Sequence, residues 1–351
     1  SFFNKEKETA LFGRWIRLSD ITPLILKHEK NTIVKQIGSS EQQRPIYSIQ
    51  LGTGKKKILI WSQMHGNEST GTKSIFDLLN ILTQSSAPCV QQILNACTLQ
   101  IIPMLNPDGA EVYTRVNSKK IDLNRDAVER SAIESKILRK ALDAFQPDFS
   151  FNLHDQRTIF GVEGTKKPAT ISFLAPSEDA DRTLTSGRIQ TMNIIVAMNN
   201  LLQQVIPKGV GRYTDEFYPT ATGDNFQKLG YNTILIEAGH YPDDYEREIT
   251  RKFHFFALLQ GIYHIALNDD YAAYKLYFDI PNNVKNFYDV VHRYPNQKRN
   301  CVAYQYEEKI IAVVYLEKNK KGKKYRLPLK TDLDLMKKAD NLLKEKEIKL
   351  K

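Results

Sequence analysis

A chain of 351 residues with 41% hydrophobic and 10% aromatic side chains can bury a large core, as one large domain with an appendage or as two domains. Its three cysteines, Cys89, Cys97 and Cys301, form neither an even set nor a C-x-x-C pair. That argues against a disulfide framework and a thiolate metal site, so any metal must be held by histidine and carboxylate. The net charge of +10 is concentrated after residue 316, where thirteen Lys or Arg face six Asp or Glu, with too few interleaved aromatics for base stacking.

A solvated basic tail is therefore expected, and a nucleic-acid surface is not. No apolar run approaches the roughly 18–20 residues of a membrane span. No short apolar segment follows a basic start at the N-terminus; the chain opens on Ser1, and the compartment is left open.

Residues 1–44 are mixed and polar and read as a lead segment, ending in a turn-rich stretch before the strand-like Ile46-Tyr-Ser-Ile-Gln-Leu51. Gly-Thr-Gly at 52–54 then predicts a hairpin into a second strand at 57–62. After Glu68 the period changes: Ile75, Leu78, Leu79 and Leu82 recur at helical spacing, with Ser69 or Thr70 placed as a cap. Strand-like 98–105 precedes a helix face of Ile133, Ile137, Leu138, Leu142 and Phe145. Strands at 148–153 and 170–174, an amphipathic stretch over 182–205, a strand at 232–237 and a helix over 250–267 complete the pattern. Such alternation predicts an α/β domain over 45–268, with a mixed, mainly parallel central sheet covered by helices on both faces. The runs 301–306 and 309–316 predict a small β-containing appendage within 269–351, ahead of the basic tail.

Ligands of open α/β sheets sit outside the carboxyl ends of the strands. Three such ends carry chemistry: His65 and Glu68 after strand 57–62, His154 after strand 148–153, and Glu237 closing strand 232–237. Two histidines and a glutamate, with a fourth position for water, form the ligand set of a catalytic zinc site. Between the ligand segments lie the turn Asn106-Pro-Asp-Gly109, Arg115, and Ile121-Asp-Leu-Asn-Arg125. Together these supply two arginines and an asparagine suited to a carboxylate and a developing oxyanion.

In the order His65-Gly-Asn-Glu68, Asn106-Pro-Asp-Gly109, Arg115, Asp122-Leu-Asn-Arg125, Asn152-Leu-His154 and Ile236-Glu237, residues 35–268 resemble the zinc metallocarboxypeptidases of the carboxypeptidase A and B type. The resemblance implies one zinc ion per chain, bound by His65, Glu68 and His154, with Asp122 holding the His65 ring. It implies Arg115 as oxyanion stabiliser, Asn124 and Arg125 as the clamp on a substrate's terminal carboxylate, and Glu237 as general base and then acid. The family's mobile tyrosine is placed at Tyr213, with Tyr218 as the alternative. The side-chain pocket draws on Ala221-Thr-Gly-Asp-Asn225, where Asp224 either selects a basic residue or caps a turn.

The implied activity is hydrolysis of a C-terminal peptide bond. Deacylation of N-acyl amino acids is the nearest alternative, since that group shares the H-G-N-E and D-L-N-R signatures; cleavage of murein peptides is another. Each takes a substrate with a free carboxylate. A non-catalytic binding protein on the same fold is the reading from a different class.

Overall fold

The computed structural model describes residues 2–293, 301–307, 310–316 and 325–328. Helices α1 (Phe2–Glu6) and α2 (Leu18–His28) precede strands β1 (Ile33–Ser39), β2 (Pro45–Leu51) and β3 (Lys56–Ser62). Helices α3 (Thr70–Gln84) and α4 (Pro88–Ala96) lead into β4 (Cys97–Ile102), α5 (Pro107–Glu111), a 3-10 turn (Leu123–Arg125) and α6 (Ile133–Phe145). Next come β5 (Phe149–Asp155), β6 (Phe160–Val162), β7 (Ile171–Leu174), α7 (Ser186–Val205), β8 (Val210–Arg212), α8 (Thr222–Lys228), β9 (Asn232–Ala238) and α9 (Glu248–Leu267). The unit Ser1–Lys285 closes with β10 (Asn283–Lys285), paired to β6.

Eight strands form one sheet in the order β1-β2-β4-β3-β5-β9-β7-β8. Its centre, β4-β3-β5-β9, is parallel, while β1, β2 and β4 pair antiparallel, as do β9 and β7. This is the mixed α/β sheet expected from the alternation. Strand β3 shows why its apolar run is continuous. Ile58 and Ile60 pack into a core shared with α3, α4, α7 and α9, whereas Leu59 and Trp61 enter a second core with Leu138, Leu142 and Phe226 of α6 and α8. A strand covered on both faces has no solvent side to keep polar. Each such side chain contributes roughly 1.5–3 kcal/mol by leaving water.

Two expectations are corrected. Strands β2 and β3 do not form a hairpin, because β4 lies between them. Gly-Thr-Gly does reverse the chain, but it does so across the start of β4: Thr53 N donates to Leu94 O at 2.9 Å and Gly54 N to Cys97 O at 3.2 Å. A Cβ on Gly54 would lie 1.8 Å from the Ala96 carbonyl carbon, so glycine is required for close passage rather than for a two-residue turn.

Residues 1–44 are likewise not a lead segment outside the domain. Strand β1 forms the sheet edge, and Phe3, Leu11, Ile16, Ile21 and Ile25 enter the main core. Arg251 of α9 donates to the carbonyls of Glu8 (2.8 Å) and Leu11 (2.7 Å) while meeting Asp77 of α3 at 2.7 and 2.6 Å. Backbone carbonyls captured by a distant arginine leave no periodic trace in sequence.

The second unit, Asn286–Lys351, contains an antiparallel sheet of β11 (Val290–Arg293), β12 (Cys301–Glu307), β13 (Ile310–Leu316) and β14 (Tyr325–Pro328). Strands β12 and β13 match the two runs read from sequence. Apart from β14, the basic tail at 317–351 lies outside the described residues. Among the described residues, no helix is long and apolar enough to cross a membrane.

Candidate metal centre and catalytic cleft

The chain leaves β3 through Gln63, whose φ of 51° is left-handed, a conformation costing on the order of 1–3 kcal/mol for a non-glycine residue. Its buried amide secures that geometry. Nε2 donates to Ile16 O (2.8 Å) and Gly66 O (2.9 Å), and Oε1 accepts from Thr72 Oγ1 at 2.8 Å. Residues 65–68 then run backbone against backbone over Asn106-Pro-Asp-Gly109. A Cβ on Gly66 would meet the Gly109 carbonyl carbon at 2.0 Å, which explains the glycine between histidine and glutamate. Asn106 closes the partner turn, accepting from Gly109 N at 2.8 Å and donating to Met64 O at 3.1 Å.

The ends of β3, β5 and β9 lie side by side, with His154 opposite Glu237 in the pairing register. His65, Glu68 and His154 are all buried, and their ligand atoms lie within 4.8 Å of one another. Nδ1 of His65 is 2.9 Å from Glu68 Oε1; Nδ1 of His154 is 2.8 Å from Oε2. The two Nδ1 atoms are 3.1 Å apart. Asp122 Oδ1 sits 3.0 Å from Nε2 of His65, so a proton on Nε2 satisfies that bond and leaves Nδ1 as a lone pair.

Lone pairs and a carboxylate at these separations repel unless a cation or proton lies among them. A tetrahedral ion with bonds of about 2.0–2.2 Å holds its ligand atoms about 3.3 Å apart, and two imidazoles with one carboxylate suit zinc. The residues present therefore fit a zinc ion.

Charge is arranged accordingly. Burial alone would raise Glu68, but His65 and His154 outweigh it and hold the carboxyl well below its usual range. Asp122 is likewise depressed, its burial overcome by His65 and Arg115. Glu237 behaves in the opposite way: burial, then the charges of Glu68 and Asp155, push it well above the carboxylate range. Its Oε2 is buried without a hydrogen-bond partner. A carboxylate oxygen deprived of solvent and of partners beside a metal-competent cluster has the character of a proton acceptor held ready.

Arg115 gathers on the same cluster, with Nε donating to Asp122 Oδ2 at 3.0 Å and Nη1 to Glu68 Oε1 at 3.1 Å, yet its side chain keeps 44% exposure to the cleft. Asn124 and Arg125 lie on the 3-10 turn directly after Asp122. Arg125 is exposed, while Asn124 Oδ1 accepts from Thr222 N at 3.0 Å and so anchors the start of α8. Asp224, one helical step on, accepts from Tyr218 N at 3.2 Å, and burial pushes its carboxyl up to about 6.

Tyr213 and Tyr218 part company. Tyr213 is raised well above its ordinary value by burial and then by the charges of Glu237 and Glu68, and its hydroxyl pairs with Asn283. Tyr218 is 48% exposed and donates to Glu216.

Several supporting residues escaped the sequence reading. Asp155 N donates to Glu68 Oε2 at 3.2 Å, and Asp155 Oδ2 accepts from Thr70 Oγ1 at 2.8 Å, tying β5 to the start of α3. Ser69, placed as a cap, donates instead to Arg14 O at 2.5 Å. Arg247 is buried, bonds Gln156 O at 2.6 Å and the Ala238 carbonyl, and lies 3.4 Å from Asp155 Oδ2, joining the ends of β5 and β9. Asp155 adjoins a proposed ligand, a signal available in sequence; nothing local marks Arg247.

The zinc carboxypeptidase family model matches residues 21–158, which span both histidines, Glu68 and the Asp122 turn. Over that segment the chain is similar to the zinc carboxypeptidase family.

Among its curated relatives, "Probable carboxypeptidase 2" of Arthroderma benhamiae is 27% identical over 191 residues, 52% of this chain and 34% of that protein. "Carboxypeptidase SOL1" of Arabidopsis thaliana is 37% identical over 135 residues, 34% of this chain and 28% of that one. The matches thus span about a third of these relatives' lengths. Among solved structures, a metallo-carboxypeptidase from Burkholderia cenocepacia superposes with a TM-score of 0.55 at 18% identity, covering 70% of this chain and 69% of that one. The carboxypeptidase fold is therefore shared well beyond detectable identity.

Proposed function

We propose that this protein is a zinc-dependent carboxypeptidase that hydrolyses the C-terminal peptide bond of its substrate, with Ser1–Lys285 as the catalytic body and one zinc ion per chain. The observation carrying this reading is the buried cluster of His65, Glu68 and His154 beside a half-buried Glu237 whose Oε2 is buried and has no partner.

Bound there by His65, Glu68 and His154, zinc would polarise the scissile carbonyl and bring the pKa of a water toward ~7. Glu237 Oε2 accepts that water's proton and returns it to the leaving amine. Arg115, reaching the cleft from its anchor on Asp122, offsets negative charge on the carbonyl oxygen; losing such a donor costs roughly 3–4 kcal/mol in other enzymes. Arg125 and Asn124 receive the terminal carboxylate, a role that suits the exposed guanidinium. Tyr213 closes over the cleft. Deacylation of N-acyl amino acids and murein-peptide cleavage require the same free carboxylate, but the relatives named above are carboxypeptidases.

The test pairs zinc analysis with turnover of acylated dipeptides, N-acyl amino acids and murein peptides, products being identified by mass spectrometry. Glu237→Gln is expected to lower kcat by about 10²–10⁴ with zinc still stoichiometric. Full activity in that variant would overturn the assigned base. Stoichiometric zinc without turnover of any substrate would favour a binding protein.

A further inference from the structure

Outside the metal cluster, the turn that precedes α6 and the exposed face of that helix border a surface cavity of about 700 Å³. Sites for small ligands typically occupy about 300–1,000 Å³. The wall carries Arg130, Lys136, Arg139 and Lys140 against Glu129 and Asp143, a surplus of positive charge. Arg139 Nε donates to both oxygens of Asp143, at 2.8 and 2.9 Å. That carboxylate is thereby occupied, and the terminal nitrogens of the guanidinium are left to bond elsewhere. Among the described residues, Arg130, Lys136 and Lys140 form no ion pair.

Two features separate this wall from an ordinary solvated helix face. The first is backbone strain: Arg130 has a left-handed φ of 51°, which costs on the order of 1–3 kcal/mol for a non-glycine residue. Buried Asp126 enforces that turn. Its Oδ1 accepts from Ser131 N (2.9 Å) and Oγ (2.6 Å), its Oδ2 from Ala132 N (2.9 Å), and its backbone O from Arg130 N (2.8 Å). Glycine would meet the same conformation without strain, yet the position holds a side chain that lines the cavity. The second is like charge: Lys136 and Lys140 stand four residues apart on one face of α6, a rise of about 6 Å, where such a pair weakens a helix. Around a concave wall that repulsion becomes a focused positive field, and a bound anion relieves it.

We infer that this cavity binds a compact ligand bearing two phosphate groups, independently of the proposed peptidase activity. Guanidinium and ammonium groups pair with phosphate through short, charge-assisted hydrogen bonds. One phosphate cannot meet cations spread over a helical turn and the loop before it; two can. In chain order Glu129 and Asp143 bracket the four cations. A nucleic-acid strand running across the wall would meet a carboxylate on leaving it, whereas a compact ligand stays between the two.

The experiment is calorimetry on the zinc-loaded full chain with ADP, AMP, adenosine and an oligothymidylate strand, at low and at physiological salt. ADP is expected to bind about tenfold or more tighter than AMP, because a second phosphate adds charge-assisted hydrogen bonds, and to weaken as salt rises. Lys136→Ala combined with Lys140→Ala, at two exposed helix positions that alanine suits, is expected to weaken ADP by about tenfold or more. Arg130→Gly, which fits the left-handed backbone, is expected to lose affinity while thermal melting shows the fold retained. Equal affinity for ADP, AMP and adenosine overturns the inference, as does ADP binding untouched in these folded variants. Affinity lost in Arg125→Ala instead would seat the phosphates in the catalytic cleft, and tighter binding of the oligothymidylate would make the ligand a nucleic-acid strand; either result overturns it too.

Discussion

Replacing Asp122 by asparagine probes whether the carboxylate behind His65 sets the metal site. Its two oxygens receive three nitrogens: His65 Nε2 (3.0 Å) and the backbone N of Asn124 (2.9 Å) on Oδ1, and Arg115 Nε (3.0 Å) on Oδ2. An asparagine oriented to keep the first two turns its NH₂ toward Arg115, so donor meets donor and the guanidinium is released. The imidazole loses the negative charge that strengthens it as a ligand. Groups in this position are typically worth 10–100-fold in metal affinity, or about 1.4–2.7 kcal/mol. The assay is zinc competition against a chelator of known affinity, with thermal melting to verify folding. A folded variant that holds zinc within about twofold of the parent would refute the idea that Asp122 orients His65.

Two further predictions concern stability. His254 on α9 is fully buried with neither ring nitrogen bonded, and burial pulls its pKa from 6.5 to about 3. The unfolded chain therefore binds the extra proton between these values, and stability falls as pH drops below 6.5, by roughly 2–3 kcal/mol at pH 4.5. His254→Leu is expected to remove that share of the acid sensitivity in urea unfolding at pH 7 and 4.5; an unchanged difference would contradict a neutral buried imidazole. Asp77→Ala leaves the buried Arg251 guanidinium without its carboxylate and is expected to cost about 3–5 kcal/mol by the same measurement. A loss under 1 kcal/mol would mean that Glu248 or water replaces the missing charge.

By itself the sequence indicated the character of the main sheet and the candidate residues at the carboxyl ends of its central strands. Apolar runs such as 58–61 and 234–236 are short and uninterrupted because a strand between two helical layers has no wet face, and this constraint is local enough to read. His65, Glu68, His154 and Glu237 were legible because each lies within a few residues of such a strand's end. Tertiary structure alone decided which strands became neighbours. Strand β4 inserts between β2 and β3, a choice made by packing and by the carbonyls of residues 94–97, which no two-residue turn signal encodes. It also decided that residues 1–44 belong to the core, since Arg251 and Gln63 hold them through backbone oxygens that every residue type offers alike. The separation of Tyr213 from Tyr218 arises in the same way: burial and partnership are properties of the assembled surroundings, not of a residue and its sequence neighbours.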